Sequence, residues 1–137
     1  VKNSKELLKK ESDFCLAFID LDNFKYVNDT FGHKSGDEIL IETSNIMKNN
    51  LKGKDLVSRF GGDEFVILIQ NCDENCAVKV LNTILKKIAI TFRRFDVTAS
   101  IGGVIFPKEG KTYEELLKKA DKKMYQAKES GKGKVII

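Results

Sequence analysis

Four carboxylates stand where a chain could use them for chemistry. Asp20 and Asp22 close the apolar run "DFCLAFIDLD", and Asp63 and Glu64 follow a glycine pair in "RFGGDEF". Residues two apart on a strand share a face, so Asp20 and Asp22 point the same way. "DLVSRF" (55–60) and "EFVILIQ" (64–70) flank Gly61 and Gly62, a short hairpin pattern with Asp63 and Glu64 at its tip. If the first strand pairs beside that hairpin, Asp20, Asp63 and Glu64 converge. Carboxylates packed together repel unless something positive sits among them. An all-oxygen donor set, with the Leu21 carbonyl free at the strand end, favours Mg²⁺ or Mn²⁺ over zinc. The glycines would supply positive φ in a tight turn and let a bulky substrate approach the backbone. Pattern alone leaves two readings open: a metal site, or a solvated turn beside a strand-end acid.

The elements that must position these groups alternate along the chain. Residues 3–11 read as a short helix, and 13–22 as a buried strand. Over 35–51, Ile39, Leu40, Ile46, Met47 and Leu51 recur at helical spacing. Ala77, Leu81, Ile84, Leu85 and Ile88 form a second stripe between Asp73 and Ile90. "FDVTASIGGVIF" (95–106) follows as strand, with Gly102-Gly103 marking a bulge or a close approach. Thr112 and Glu115 make a capping box for a last helix whose apolar face is Tyr113, Leu116, Leu117, Ala120, Met124 and Ala127. Lys118, Lys119, Lys122 and Lys123 read as its solvated face, and "VII" closes the chain as a short strand. The order β-α-β-β-α-β-α-β predicts an antiparallel-rich sheet with helices packed on it, of the split-βαβ kind.

The 137 residues suffice for one domain with one core. With 42% hydrophobic and 32% charged residues the chain reads as soluble and globular. No apolar run reaches the ~18 residues that span a bilayer. The net charge of +4 suits an anionic ligand but falls short of a nucleic-acid footprint, and no basic-aromatic groove pattern appears. Three cysteines without a CxxC pattern argue against a disulfide framework and against zinc, and place the chain in a reducing cytosol. Cys15, inside an apolar run, reads as a buried thiol. His33, the single histidine, reads as a turn or helix-start residue.

Taken together, the motifs resemble the GGDEF family, the diguanylate cyclases. "RFGGDEF" is similar to the signature hairpin, including Phe65. "FIDLDNFKYVNDTFGHKSGDEIL" (18–40), "TASIGG" (98–103) and "ADKKMYQAKESGKGKV" (120–135) resemble further blocks over almost the whole chain. The resemblance implies an α+β fold, ferredoxin-like and palm-like, related to the class III nucleotide cyclases. Its central sheet would be mostly antiparallel, of about five strands flanked by helices. It implies a single domain over 1–137 that condenses two GTP into cyclic di-GMP plus pyrophosphate as a homodimer. It further implies two Mg²⁺ (or Mn²⁺) held by Asp20, the Leu21 carbonyl, Asp63 and Glu64. One ion would lower the pKa of the 3′-hydroxyl and the other would neutralise charge on pyrophosphate. Asp22 is expected in a structural role.

By the same resemblance Asn28 and Asp37 read guanine, whose N1–H and N2–H₂ donors suit a carboxylate and are absent from adenine. Lys128 and Lys132 would contact phosphate, with Lys25 and the main-chain N–H groups of 23–26, Phe24 among them, forming a cradle. Lys132 stands where the family has arginine, so the γ-phosphate grip is expected to be weaker. Lys52-Gly53-Lys54-Asp55 replaces the family's inhibitory Arg-x-x-Asp, so Lys52 and Asp55 form a degenerate product site. Ser4 replaces an arginine in the family's opening block, of which only the tail is present. An upstream sensory or receiver domain, a cytoplasmic location, and no nucleic-acid or membrane partner for this domain complete the expectation. The alternative is a weak or inactive module of this fold that binds GTP or cyclic di-GMP for regulation.

Overall fold

A computed structural model describes residues 13–137; the helix expected at 3–11 and the position of Ser4 lie outside them. Five strands form one sheet in the order β2-β3-β1-β4-β5. They are β1 (Phe14–Asp22), β2 (Leu56–Arg59), β3 (Glu64–Gln70), β4 (Thr98–Phe106) and β5 (Val135–Ile136). β1 is the middle strand, antiparallel to both β3 and β4. β2 pairs antiparallel with β3, and only β5 runs parallel, beside β4. The mostly antiparallel α+β sheet expected from the sequence is therefore present.

Alternation along β1 divides the core between two faces. Cys15, Ala17, Ile19 and Leu21 face α1 (Phe24–Phe31), α2 (His33–Asn49) and α3 (Glu74–Thr91). Leu16 and Phe18 face the opposite way, onto Leu116, Ala120 and Met124 of α4 (Tyr113–Glu129). Asp20 and Asp22 continue this second row, so both acids emerge on the α4 side. On α4, Leu116, Ala120, Met124 and Lys128 are spaced four apart, and such positions stack on one helix face. The stripe that packs the core thus delivers Lys128 to the carboxylates.

Several local expectations change. α1 was not anticipated, and α2 begins at His33 rather than at residue 35. β1 and β4 pair without a break through Gly102 and Gly103, so there is no bulge. Gly102 is instead a close approach: a Cβ there would lie 2.2 Å from the Ala120 carbonyl oxygen and 2.3 Å from the Met124 nitrogen. Tyr113 is exposed rather than part of the α4 core face. Lys123 is not simply solvated, since its Nζ lies 2.7 Å from Glu109 and donates to the Gly103 carbonyl. The capping box at Thr112 and Glu115 forms as expected. Cys15 is fully buried, and burial pushes its thiol up to about 12, an inert state. Cys72 and Cys76 are joined as a disulfide, against the expectation of none. The start of α3 brings residues four apart to Cα positions 5.2 Å from each other, within bonding reach.

Candidate active site

The site is built where β1 ends beside the β2–β3 turn. Register pairs Asp20 with Glu64, and the Leu21 N–H donates to the Asp63 carbonyl at 3.1 Å. A strand residue's N–H and C=O point to the same neighbour, so the Leu21 carbonyl also faces the hairpin. The turn closes through Phe60 N–H donating to the Glu64 carbonyl at 2.7 Å, and Arg59 Nε donates to the Gly61 carbonyl. Neither turn glycine adopts positive φ. Gly61 lies under the Glu64 side chain: a Cβ there would meet Glu64 Oε1 at 2.5 Å, and that carboxylate would have to swing aside. At Gly62 a Cβ would meet nothing within 4 Å, so the tip faces open space.

Electrostatics mark Asp20 as the focus. Its Oδ1 is buried without a hydrogen-bond partner. Burial and the neighbouring Asp63 charge push its carboxyl up to about 7; Lys128 opposes this and Glu64 adds to it. Burial, Asp63 and Asp121 of α4 likewise raise Glu64. An orphaned carboxylate oxygen, a second carboxylate and a main-chain carbonyl make a hard-oxygen set of the kind Mg²⁺ takes, the remaining positions going to water and phosphate. Among the described residues no three acidic, histidine or cysteine side chains are already gathered around one point. The residues therefore fit an ion that arrives with its own oxygen ligands rather than a closed protein cage.

Asp22 is different. It is 1% exposed and accepts from Ser100 Oγ (2.8 Å), Thr98 Oγ1 (2.9 Å), Lys128 Nζ (3.0 Å) and the Gly133 N–H (3.0 Å). Burial works against its charge, but these donors outweigh it and hold the carboxyl below its ordinary range. Burial also disfavours charge on Lys128, yet Asp22 and Asp20 outweigh it and raise the ammonium. Lys128 Nζ is 3.5 Å from Asp20 Oδ2, so one cation bridges both strand-end acids.

The description of the family whose model matches is "Diguanylate cyclase, GGDEF domain", over residues 2–134. The chain belongs to the GGDEF family. MucR of Pseudomonas aeruginosa, a bifunctional diguanylate cyclase/cyclic di-GMP phosphodiesterase, is 37% identical across 93% of this chain and 19% of its own length. Diguanylate cyclase A of Treponema denticola is 31% identical across 94% of this chain and 36% of its own. The active GGEEF domain of a diguanylate cyclase from Vibrio cholerae superposes with a TM-score of 0.86 at 25% identity, covering 99% of this chain and 87% of that one. This GGDEF domain thus spans well under half the length of those curated relatives. Among the described residues no helix is long and apolar enough to cross a membrane.

The other expected site residues of the GGDEF domain fall into three groups. Asn28 lies on α1 against α2, so close that a Cβ at Gly36 would sit 1.9 Å from its Oδ1. Asp37, the next residue, lines an open cleft of about 420 Å³ with Arg59 and Phe65. The structure therefore brings Asn28 and Asp37 to neighbouring turns of packed helices. The second group is the start of α1. Asn23 precedes it at φ 67°, and its side chain does not cap the helix. It donates instead to the Asp96 carbonyl at 2.9 Å. The N–H groups of Phe24, Lys25 and Tyr26 stand in the first turn, where no intrahelical acceptor exists. The Phe24 ring is buried in the core, so only its main chain can serve an anion. Lys25 is exposed. Lys132, also exposed, adopts φ 64° with its N–H on the Ala127 carbonyl.

Lys52 and Asp55 form the third group, and they are not part of this arrangement. Asp55 closes its own loop: Oδ2 accepts from the Lys52 N–H at 3.0 Å and Oδ1 from the Gln70 N–H at 2.8 Å. A cleft of about 790 Å³ lies here, against Lys52, Lys54, Asp55 and Cys76, away from the acids. Sequence reading missed the Asp22 hydrogen-bond set and the approach of Asp121 to Glu64. The four-residue spacing from Leu116 to Lys128 was the available signal for the first.

Proposed function

We propose that this domain condenses two molecules of GTP into cyclic di-GMP, releasing two pyrophosphates, with one GTP held by each of two facing copies. The observation that carries this reading is the raised, orphaned Asp20 carboxyl beside Asp63 and the uncapped start of α1. Such a pairing of a hard-cation site with free N–H groups suits a metal–triphosphate complex. Asp20, Asp63 and the Leu21 carbonyl would hold Mg²⁺, with Glu64 beside it, and the ion would supply charge neutralisation at the triphosphate and at the attacking 3′-hydroxyl. The residues of the chain do the binding and orienting. Asp37 accepts from the N1–H and N2–H₂ donors of the guanine edge, and the Asn28 amide can donate to the base. The α1 N–H groups, Lys25, Lys128 and Lys132 take the phosphates, and the open face at Gly62 leaves room for the second nucleotide. A GTP-consuming domain of this kind works in the cytoplasm, attached to a sensory or receiver region.

Incubation of a dimer-enforced form with GTP and Mg²⁺, followed by chromatography, is expected to show cyclic di-GMP. Absence of product there would leave the regulatory module, which binds nucleotide without turnover, as the better reading. Product inhibition through the Lys52–Asp55 loop is expected to be weak or absent, because both Asp55 oxygens are engaged by main chain and lysine lacks the bidentate fork that reads guanine. Calorimetric titration with cyclic di-GMP checks this; submicromolar binding that is lost on changing Lys52 would contradict it.

Asp20 also sets a pH dependence. In the metal-free domain it binds a proton up to about pH 7, whereas its ordinary value is 3.8. A divalent ion must displace that proton, so Mg²⁺ or Mn²⁺ affinity is expected to climb between pH 6 and pH 8 and then level off. Linkage gives the stability sign. The folded state binds the extra proton, so this contribution is complete below 3.8 and lost as pH rises through about 7. Thermal melts without metal should decline over that window, and added Mg²⁺ should reverse the decline. Asp22, shifted the other way, contributes stability that is lost only in acid, as pH falls through its lowered value.

A further inference from the structure

We propose that Asp22 is a positioning residue that places the two phosphate-binding lysines, Lys128 and Lys132, and is not a metal ligand. This role rests on the GTP reading above. An ionised carboxylate offers about four lone-pair sites. At Asp22 all are occupied: Ser100 Oγ and Lys128 Nζ sit on Oδ1, and Thr98 Oγ1 and the Gly133 N–H on Oδ2. A metal could enter only by evicting one of these donors. Asp20, two residues away on the same face, has the opposite condition, with Oδ1 unpartnered. The two acids therefore divide the work, one open to a cation and one already filled.

The four donors come from three parts of the fold. Thr98 and Ser100 belong to β4, directly across the pair from Asp22 and Asp20. They fix the plane of the carboxylate from an interior strand of the sheet. The fixed carboxylate then holds Lys128 Nζ, which ends a long flexible stem, at a point 3.5 Å from Asp20 Oδ2. Its other oxygen holds Gly133, in the loop just after α4. That loop carries Lys132 in a left-handed conformation, and Gly133 follows it at φ 58°. One buried carboxylate thus sets the Lys128 ammonium and the backbone from which Lys132 extends before nucleotide arrives, and preorganised groups bind with less ordering cost. Asp22→Asn keeps the shape but turns an NH₂ group toward at least one of these donors.

The test is calorimetric binding of α,β-methylene GTP, whose carbon bridge blocks condensation, compared with GMP, both with Mg²⁺. Asp22→Asn is expected to weaken the triphosphate by about 30-fold, as loss of a buried charged partner does, and GMP by less than about 3-fold. Lys128→Ala should show the same selective loss. Because Asp22 acts through Lys128, the double variant should fall within about 3-fold of the weaker single one, a non-additive pair. Independent, additive losses, or equal weakening of GMP and triphosphate, would overturn the role. If Asp22→Asn does not fold, Thr98→Ala with Ser100→Ala keeps the charge and removes the hydroxyls that orient it. That pair is expected to weaken the triphosphate selectively by about 3- to 10-fold, and no selective loss would overturn the proposal. Wild-type protein that binds neither ligand would remove the GTP reading and this role together. Wild-type binding with unselective variants would remove this role alone.

Discussion

Asp63→Asn is expected to abolish cyclic di-GMP formation while leaving the domain folded and somewhat more stable without metal. The two effects have one cause. Asp63 is the largest charge effect on Asp20, second only to burial in raising its pKa. Removing that charge relieves the repulsion, and Asp20 returns toward its ordinary value. The main-chain contact that Asp63 makes, accepting from the Leu21 N–H, survives in asparagine. Yet the proposed ion loses an anionic ligand, and metal-based charge stabilisation contributes several kcal/mol in such reactions, so the rate should fall by about 1000-fold or more. The comparison needs a dimer-enforced protein, because in the proposed reaction each copy brings one of the two GTP molecules. Chromatographic product yield and thermal melts, measured on the same samples, read both halves. An unchanged rate would remove Asp63 from the metal site. A large loss of stability would mean that its side chain holds the turn.

Gly102→Ala should have the largest effect on stability. Replacing glycine within a strand commonly helps, because it lowers the entropy of the unfolded chain. Here the new methyl would meet the helix backbone itself, with the Ala120 oxygen, the Met124 nitrogen and the Lys123 carbonyl carbon all within 2.8 Å. Backbone cannot rotate aside as a side-chain tip can, so α4 would have to lift off the sheet. Overpacking of this kind costs about 3 kcal/mol or more, a large share of a typical domain's stability. Denaturant unfolding would measure it, and a loss under about 1 kcal/mol would show that α4 is free to shift. A lifted α4 also withdraws Lys128 from Asp20 and Asp22. Partial survivors of the substitution should therefore bind the triphosphate less well than the base.

Much of this was legible in the residues. Apolar runs and the glycine pair gave β1 and the hairpin their places, and Thr112 with Glu115 marked the start of α4 correctly. The convergence of Asp20 with Asp63 follows from strand period two and one antiparallel pairing. What the sequence concealed has physical reasons. α1 is only eight residues long and carries Asn28, Asp29 and Thr30, so its two turns offer too short a period to read. Gly61 and Gly62 suggested a turn of positive φ, but neither adopts one, and the nearest neighbour of a Cβ at Gly61 is the tip of a side chain three residues on, which no local pattern encodes. Cys72 and Cys76 lacked a motif, and only the start of α3 brings them together. Asp22 shares a face with Asp20 in the pattern, and its structural role was implied by the resemblance alone, without partners. Its difference arises from β4 hydroxyls more than seventy residues away in the chain.

Asn23 carries a consequence for how this domain can evolve. It stands before α1 in a conformation from which it cannot cap, and its amide is committed to Asp96. A serine or aspartate cap at a helix start is worth about 1 kcal/mol, and α1 goes without it. Selection for stability alone would favour a change that turned a side-chain oxygen onto those N–H groups. Such a variant would melt later and carry its own competitor for the triphosphate, a built-in antagonist at the place proposed for the nucleotide's phosphates. Robustness and responsiveness are in conflict at this position, and a directed-evolution screen for heat tolerance would select against the ligand here first.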